Sequence, residues 1–368
     1  MPTEIFDRAE VQLKNDLPFV LYRKPKRTVL NGFFQNTSTL AHTSDFKEKG
    51  FVFAPFDSVA KVVLLRPDEL LEMDIKELQG ESFFQNNEIV TNPPEKSFHI
   101  DLVKKGVHNI KKGRFQKIVL SRKINAVTKT DPIQLFRKLL KMYENAFCYL
   151  WFHPKVGMWL GATPEILLKT KGRGFTTMSL AGTQIKDNDS GPNWQDKELK
   201  EQRLVTDYII NALTDKVNKL EIGGLESVSA GHLWHLRTKI SGNYKIERLN
   251  DLIHALHPTP AVCGMPKKET REFILNTENY NRLFYTGYLG ELNFPMDQLR
   301  NRNSHNIENN AYKTVLKCTE LYVNLRCMSL LKGKASIYVG GGITADSDPE
   351  KEWEETVHKS NTMLKVLS

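Results

Sequence analysis

The sequence predicts an α+β fold on three observations: a dense succession of short alternating apolar segments, two long amphipathic helical patterns, and no repeat, low-complexity tract or linker dividing the chain. A chain of 368 residues with 40% hydrophobic residues is long enough to bury a substantial core as a single large domain. The expected architecture is antiparallel sheets with helices packed outside.

The first hundred residues carry short apolar stretches, Phe19 to Tyr22, Gly50 to Pro55 and Ala60 to Leu65, separated by polar, turn-rich segments such as Asn31 to Ser44. They read as strands of a peripheral layer. After the Asn92-Pro93-Pro94 breaker, a helical segment from about Phe98 to Lys112 leads into the strand-like run Gln116 to Arg122. Phe147 to His153, Gly157 to Gly161, Ile166 to Thr170 and Phe175 to Leu180 are short, alternating and rich in aromatic or branched residues, which predicts consecutive antiparallel pairing. Val205, Tyr208, Ile209 and Ala212 recur at helical spacing in a helix expected from about Asp196 to Lys216. Strands over Tyr322 to Leu330 and Ala335 to Val339 lead into Gly340-Gly341-Gly342, and a closing helix runs from about Pro349 to Leu367.

Composition narrows the function classes. The four cysteines form no C-x-x-C pair, so neither a disulfide framework nor a thiolate zinc site is expected. The first residues lack a basic start and an apolar core, and no later apolar run approaches the roughly 18 residues of a membrane span. A cytoplasmic, membrane-free protein is the expectation. A net charge of +9 attracts anions, be they nucleic acid, an acidic membrane surface or a small polyanionic substrate; the basic residues are interspersed with acids and no arginine-rich tail accompanies them, which argues against nucleic acid.

Two segments share one acidic spacing: Glu198 and Glu201 in the long helix, and Glu352 and Glu355 in the last. Residues three apart lie on one helix face, so two such helices brought together converge four carboxylates, a hard oxygen set that suits magnesium. E-x-x-E is common on solvated helices. Here, however, Glu201 continues the apolar stripe of Val205 and Tyr208, and Glu352, Glu355 and Lys359 cluster on one side of their helix, with Trp353, Val357 and Leu364 as a neighbouring stripe to seat it. Arg326 lies mid-strand opposite Leu321, Val323, Leu325 and Cys327, where its fork could grip a carboxylate, with Lys359 as a second cation, or face solvent. Gly340-Gly341-Gly342 permits close backbone approach or forms a plain turn, and is no P-loop. Lys117, in an alternating strand, and Glu165, after Gly161-Ala162-Thr163-Pro164, could be surface residues or a base and acid pair.

These motifs resemble the chorismate-utilising enzymes, the family of isochorismate, salicylate, anthranilate and aminodeoxychorismate synthases. The resemblance runs through Lys117 to Arg122, Gly161 to Glu165, Leu180-Ala181-Gly182-Thr183, Leu256 to Gly264, Phe284-Tyr285-Thr286-Gly287, Leu325-Arg326-Cys327, Gly340 to Ile343, and Glu352 to Thr356 with Lys359. It covers residues 101–368 as the chorismate-binding catalytic part, with residues 1–100 as a variable N-terminal part of the same domain.

The resemblance implies magnesium-dependent conversion of chorismate to isochorismate, a product of menaquinone or siderophore biosynthesis. Lys117 is implied as the base that activates water at C2, and Glu165 as the acid that protonates the departing C4 hydroxyl. Glu201 and Glu355 are implied as direct magnesium ligands with Glu198 and Glu352 completing the shell. Arg326, Tyr285 and the Gly340 backbone, assisted by Lys359, are implied to hold the pyruvyl carboxylate, while Gly182 lines the ring pocket. Lysine at position 117 resembles the water-using members, and Ala181 departs from the aminodeoxychorismate synthases, so no glutaminase subunit is expected. Ser179, Gln184 and Gln202 also depart from common family residues. The alternatives are a salicylate synthase and a non-catalytic binder of anions or nucleic acid.

Overall fold

The computed structural model describes residues 4–75, 93–186, 191–230, 233–298 and 314–368. Several of its strands are apolar on both faces, which requires a sheet covered on both sides. In β1 (Phe19–Arg23), Val20 and Tyr22 enter one hydrophobic cluster while Phe19 and Leu21 enter another. β8 (Phe147–His153) repeats this, with Phe147, Tyr149 and Trp151 on one side and Cys148 and Leu150 on the other.

Two nine-stranded sheets result, and every strand pairing among the described residues is antiparallel. The first runs β14 (Gly264–Met265), β7 (Lys117–Val127), β18 (Lys334–Ile343), β17 (Cys327–Leu331), β9 (Gly157–Thr163), β8, β1, β2 (Val29–Phe34), β6 (Glu69–Asp74). The second runs β12 (Val217–Ala230), β13 (Leu233–Tyr244), β11 (Gly174–Ile185), β10 (Ile166–Lys171), β16 (Thr314–Val323), β15 (Tyr288–Gln298), β4 (Gly50–Ala54), β5 (Val62–Leu65), β3 (Ala41–Thr43). An aromatic layer that includes Phe53, Tyr149, Trp151, Trp159 and Tyr322 fills the space between the sheets. Helices α1 (Glu4–Lys14), α3 (Pro132–Met142) and α7 (Pro349–Leu367) cover the outer face of the first sheet, and α4 (Asp196–Thr214) and α5 (Leu249–Leu256) that of the second. α2 (Pro93–Lys111) and α6 (Lys267–Thr277) close one end around β7 and β18. This is the expected α+β architecture. No described helix is long and apolar enough to cross a membrane.

Five expectations are corrected. The N-terminal strands are no peripheral layer: β1 and β4 are fully buried members of the two sheets, held by pairing with β8 and β15. Consecutive pairing fails between β9 and β10, because the chain changes sheets at Pro164 and Glu165. The run from Tyr322 to Leu330 is two strands in different sheets, so Arg326 is not mid-strand but in the crossing, with φ +48°. Gly340, Gly341 and Gly342 form no turn after a strand; they lie inside β18, paired with Ser121, Leu120 and Val119. Val357 does not seat α7, being 39% exposed, whereas Thr356, Ser360, Met363 and Leu367 are buried.

Two substitutions test this layering. Trp151→Ala empties a fully buried indole site between the sheets and should cost roughly 3–5 kcal/mol in denaturant unfolding. Val357→Ala should change stability by less than about 0.5 kcal/mol.

Candidate active site

The chain crosses from the first sheet to the second through Pro164 and Glu165, and returns through Asn324, Leu325 and Arg326. The crossings lie side by side. Val323 N–H donates to the Glu165 carbonyl and Ala162 N–H to the Arg326 carbonyl, each at 3.0 Å. Asn324, fully buried, pins the return: its Nδ2 donates to the Phe284 carbonyl at 2.9 Å and its Oδ1 accepts from the Tyr149 hydroxyl at 2.5 Å. Backbone bonds from Thr286 N–H to Asn324, and from Asn324 N–H to Gly287, add the Tyr285 turn. A polar backbone leaving a sheet inside the protein needs such partners.

The Glu165 side chain at this seam is 4% exposed. Burial pushes its pKa up to about 8, against the pull of Lys117 and Arg326, so its carboxyl is mostly protonated at neutral pH. Arg326 is lowered to about 10 by burial, with Tyr143 and Glu165 opposing, and remains charged. Its Nη2 donates to His235 Nε2 at 2.6 Å, while His235 Nδ1 donates to the Gly182 carbonyl at 3.0 Å, a network that assigns the neutral imidazole. Gly182 sits in a bulge of β11 with φ +66°, a backbone conformation that favours glycine.

The opposite wall comes from α4 and α7. The side chain of Gln195 and that of Glu198 cap the start of α4 reciprocally, Glu198 accepting from Gln195 N–H at 3.0 Å. One turn on, Glu201 receives Lys117 from β7 at 2.8 Å; burial alone would raise this carboxyl, but the ammonium holds it below the usual range. On α7, Glu352 pairs with Lys197 at 2.8 Å and Glu355 with Lys359 at 2.6 Å, while Lys359 also donates to the Gly340 carbonyl at 3.1 Å. Burial and the neighbouring Glu355 raise the Glu352 carboxyl.

These acids converge on the glycines of β18. A Cβ at Gly342 would collide with Glu201 Oε1, and one at Gly341 would lie 3.3 Å from Glu352 Oε2 and 3.8 Å from Glu355 Oε1. A Cβ at Gly340 would meet the buried Tyr285 hydroxyl at 3.1 Å. The close approach left open by the sequence is what the run provides. Among the described residues no group of three or more His, Cys, Asp or Glu stands ready to hold a metal ion, each acid being engaged as above. The donor set nevertheless fits a hard cation in its chemistry: it is all oxygen, comes in pairs from two helices, and includes Glu352 Oε2, which is buried and has no hydrogen-bond partner among the described residues.

A cavity of about 120 Å³ opens between these walls. Of the residues expected in a site, Glu165, Gly182, Glu198, Glu201, Tyr285, Arg326, Gly340, Glu355 and Lys359 line it; Lys117 and Glu352 stand behind, through their ion pairs. Sequence reasoning missed His235 and gave Lys197 no role. A histidine in the alternating Leu233-Trp234-His235-Leu236 was the available signal.

The family described as chorismate binding enzyme matches residues 56–297, and a second match of the same description covers residues 312–365. The chain belongs to the chorismate-binding enzymes. It is similar to the isochorismate synthase DhbC of Bacillus subtilis, at 29% identity over 85% of this chain and 79% of that protein. It also resembles the isochorismate synthase MenF of Haemophilus influenzae, at 25% identity over 92% of this chain and 83% of that protein. The solved structure of DhbC from Bacillus anthracis superposes with a TM-score of 0.76 at 25% identity, covering 98% of this chain and 99% of that one. Within this chorismate-binding enzyme the departing residues are structurally absorbed. Gln202 Nε2 donates to Ser179 Oγ at 2.8 Å, so two departures complement each other behind Glu201. Gln184 clasps Asn193 through both ends of its amide, fixing the approach to α4.

The protonated Glu165 makes a signed prediction. Its folded pKa lies above the unfolded value, so the stability it contributes is full below about pH 4.5 and is lost as pH rises through about 8. The stability of Glu165→Gln, measured by thermal unfolding, should therefore improve relative to the parent as pH rises from about 5 to 9. A constant difference across that range would contradict a neutral Glu165.

Proposed function

We propose that this chorismate-binding enzyme is an isochorismate synthase. It moves the hydroxyl of chorismate from C4 to C2 by adding water at one carbon and expelling the other oxygen. The observation that carries the reading is a buried, proton-bearing carboxyl, Glu165, placed beside Arg326 and within electrostatic reach of Lys117, in a cavity whose far wall carries Glu198, Glu201 and Glu355, with Glu352 behind it through Lys197. Expulsion of hydroxide needs a proton, and a carboxyl with its pKa raised to about 8 holds one at neutral pH.

In this reading Lys117, held against the Glu201 carboxylate, is the base that activates the water that attacks C2. Glu165 delivers its proton to the C4 oxygen as that bond breaks and the ring double bonds shift. Arg326 and Tyr285, with the Gly340 backbone and Lys359, hold the pyruvyl carboxylate, and Gly182 shapes the ring pocket. Glu201 and Glu355 serve as direct ligands of magnesium, with Glu198 and Glu352 completing its surroundings. Magnesium supplies charge neutralisation at the ring carboxylate.

Charge balance supports the metal. The cavity and its ion pairs bring together Glu165, Glu198, Glu201, Glu352 and Glu355 against Lys117, Lys197, Arg326 and Lys359. With Glu165 protonated the two signs cancel, so a dianionic substrate enters without net repulsion, and a divalent cation leaves the filled site neutral. Because water is the nucleophile, the reading requires no ammonia-supplying glutaminase subunit. It places the enzyme in the cytoplasm, with product leading to menaquinone or siderophore chemistry.

The test is incubation of the purified protein with chorismate and magnesium, with chromatographic separation of products. Isochorismate should form, stop with EDTA and return with added magnesium. Lys117→Ala should lower turnover by roughly 10²-fold. Glu355→Gln should raise the magnesium requirement, whereas Glu354→Gln, exposed on the same helix, should not. Salicylate and pyruvate as the products, or full turnover in chelator, would overturn the proposal.

A further inference from the structure

Arg326 and His235 face two cavities. Beyond the one already described, they wall a second of about 510 Å³, and Pro164 and Leu180 also line both. The two spaces therefore share a wall that contains the Arg326–His235 contact at 2.6 Å.

The second cavity has a different character. Its charged side chains are Lys26, Lys186, Arg237 and Arg326 against one acid, Glu144, whereas the first balances bases with glutamates. Arg237 is paired at 3.0 Å with Glu226, which does not line the space, and Lys26 and Lys186 are exposed at its rim. The remaining wall is largely apolar, with Met142, Tyr143, Met178 and Leu180. A cavity with an apolar stretch of wall and several cations along its lining suits a small ring bearing a carboxylate: the ring displaces water from the apolar stretch and the carboxylate meets the cations. At about 510 Å³ the space lies in the range of small-molecule sites.

We propose that this second cavity is a binding site for a cyclic carboxylate, distinct from the substrate cavity and coupled to it through Arg326 and His235. The coupling rests on the proposed role of Arg326 in holding the substrate; the site itself does not. A carboxylate drawing Arg326 outward competes for the guanidinium that the substrate needs, so occupancy of one cavity weakens the other, and the weakening is reciprocal. Two sources share this chemistry: the enzyme's own substrate or product, and a separate cyclic acid that regulates it.

Benzoate is the probe. Isothermal titration of the full-length, magnesium-loaded protein should show benzoate binding, and benzoate should raise the KM for chorismate. Lys26→Glu combined with Lys186→Glu reverses two rim charges outside the proposed machinery and should weaken benzoate binding by about tenfold or more while leaving the KM without benzoate unchanged. Ser229→Trp, at an exposed lining position, should fill the mouth and weaken benzoate independently. Titrating chorismate into the parent separates the sources: a second, weaker binding event lost in the charge-reversed variant identifies substrate as an occupant, and a single event identifies a separate acid. Absence of benzoate binding, or binding that none of these substitutions alters, would place benzoate elsewhere and overturn the proposal. The calorimetric arm reads out even if the protein forms no isochorismate, so failure of the site and failure of the functional reading are distinguishable.

Discussion

The structure depends on two chain crossings lying back to back in the space between its sheets. Moving a backbone from one sheet to another strands polar groups inside a hydrophobic layer, at a cost of several kcal/mol for each group left unpaired. Here the crossings satisfy one another, Val323 to Glu165 and Ala162 to Arg326, and Asn324 satisfies what is left by reaching Tyr149 and Phe284. The same bonds therefore place a carboxyl and a guanidinium side by side, at the boundary between the aromatic layer and the cavity. Fold stability and site geometry share one set of hydrogen bonds.

Burial at that seam then sets the electrostatics. With few polar partners for its side chain, Glu165 keeps its proton to about pH 8. Glu201, also sheltered though less completely and 2.8 Å from an ammonium, has its carboxyl held below the usual range. Identical side chains thus take opposite protonation states across one cavity, because one is desolvated beside weak opposition and the other is ion-paired. The helices α4 and α7 contribute acids in pairs, and the glycines of β18 let those acids approach the strand that faces them. A bulkier residue in that strand would push the carboxylates out of the space they converge on.

Local pattern was legible in the sequence, and long-range cause was not. The strand Phe147 to His153 and the helix Pro349 to Leu367 were readable to the residue, because alternation and helical capping are encoded within the segment itself. The four glutamates, Lys117 and Glu165 were also legible, from spacing and from the resemblance, and the fold brings them around one cavity. Arg326 was placed mid-strand because Leu321 to Cys327 alternates smoothly; what breaks the strand is Asn324 bonding to Tyr149 and Phe284, far away in sequence. The glycine run resembled a turn because its reason, the approach of three carboxylates and a tyrosine, lies on other elements. His235 gives no signal beyond a lone histidine in an apolar stretch, since its partners lie on other elements, Arg326 in the crossing after β16 and Gly182 in β11. The polar surroundings of the N-terminal strands suggest a peripheral layer, yet pairing with β8 and β15 buries β1 and β4 completely, leaving β6 and β3 at the sheet edges.

The claim that the seam both supports the fold and aims the chemistry is tested most directly at Asn324, which touches neither the glutamates nor Lys117. Asn324→Ala removes the acceptor of the Tyr149 hydroxyl and one of the two donors to the Phe284 carbonyl. The decisive measurement is kcat for chorismate conversion by the folded variant, at a temperature where circular dichroism shows full native structure. The account predicts that kcat falls by at least about tenfold, because Glu165 and Arg326 lose their fixed separation. A variant that is less stable but turns over chorismate at the parent rate would contradict it.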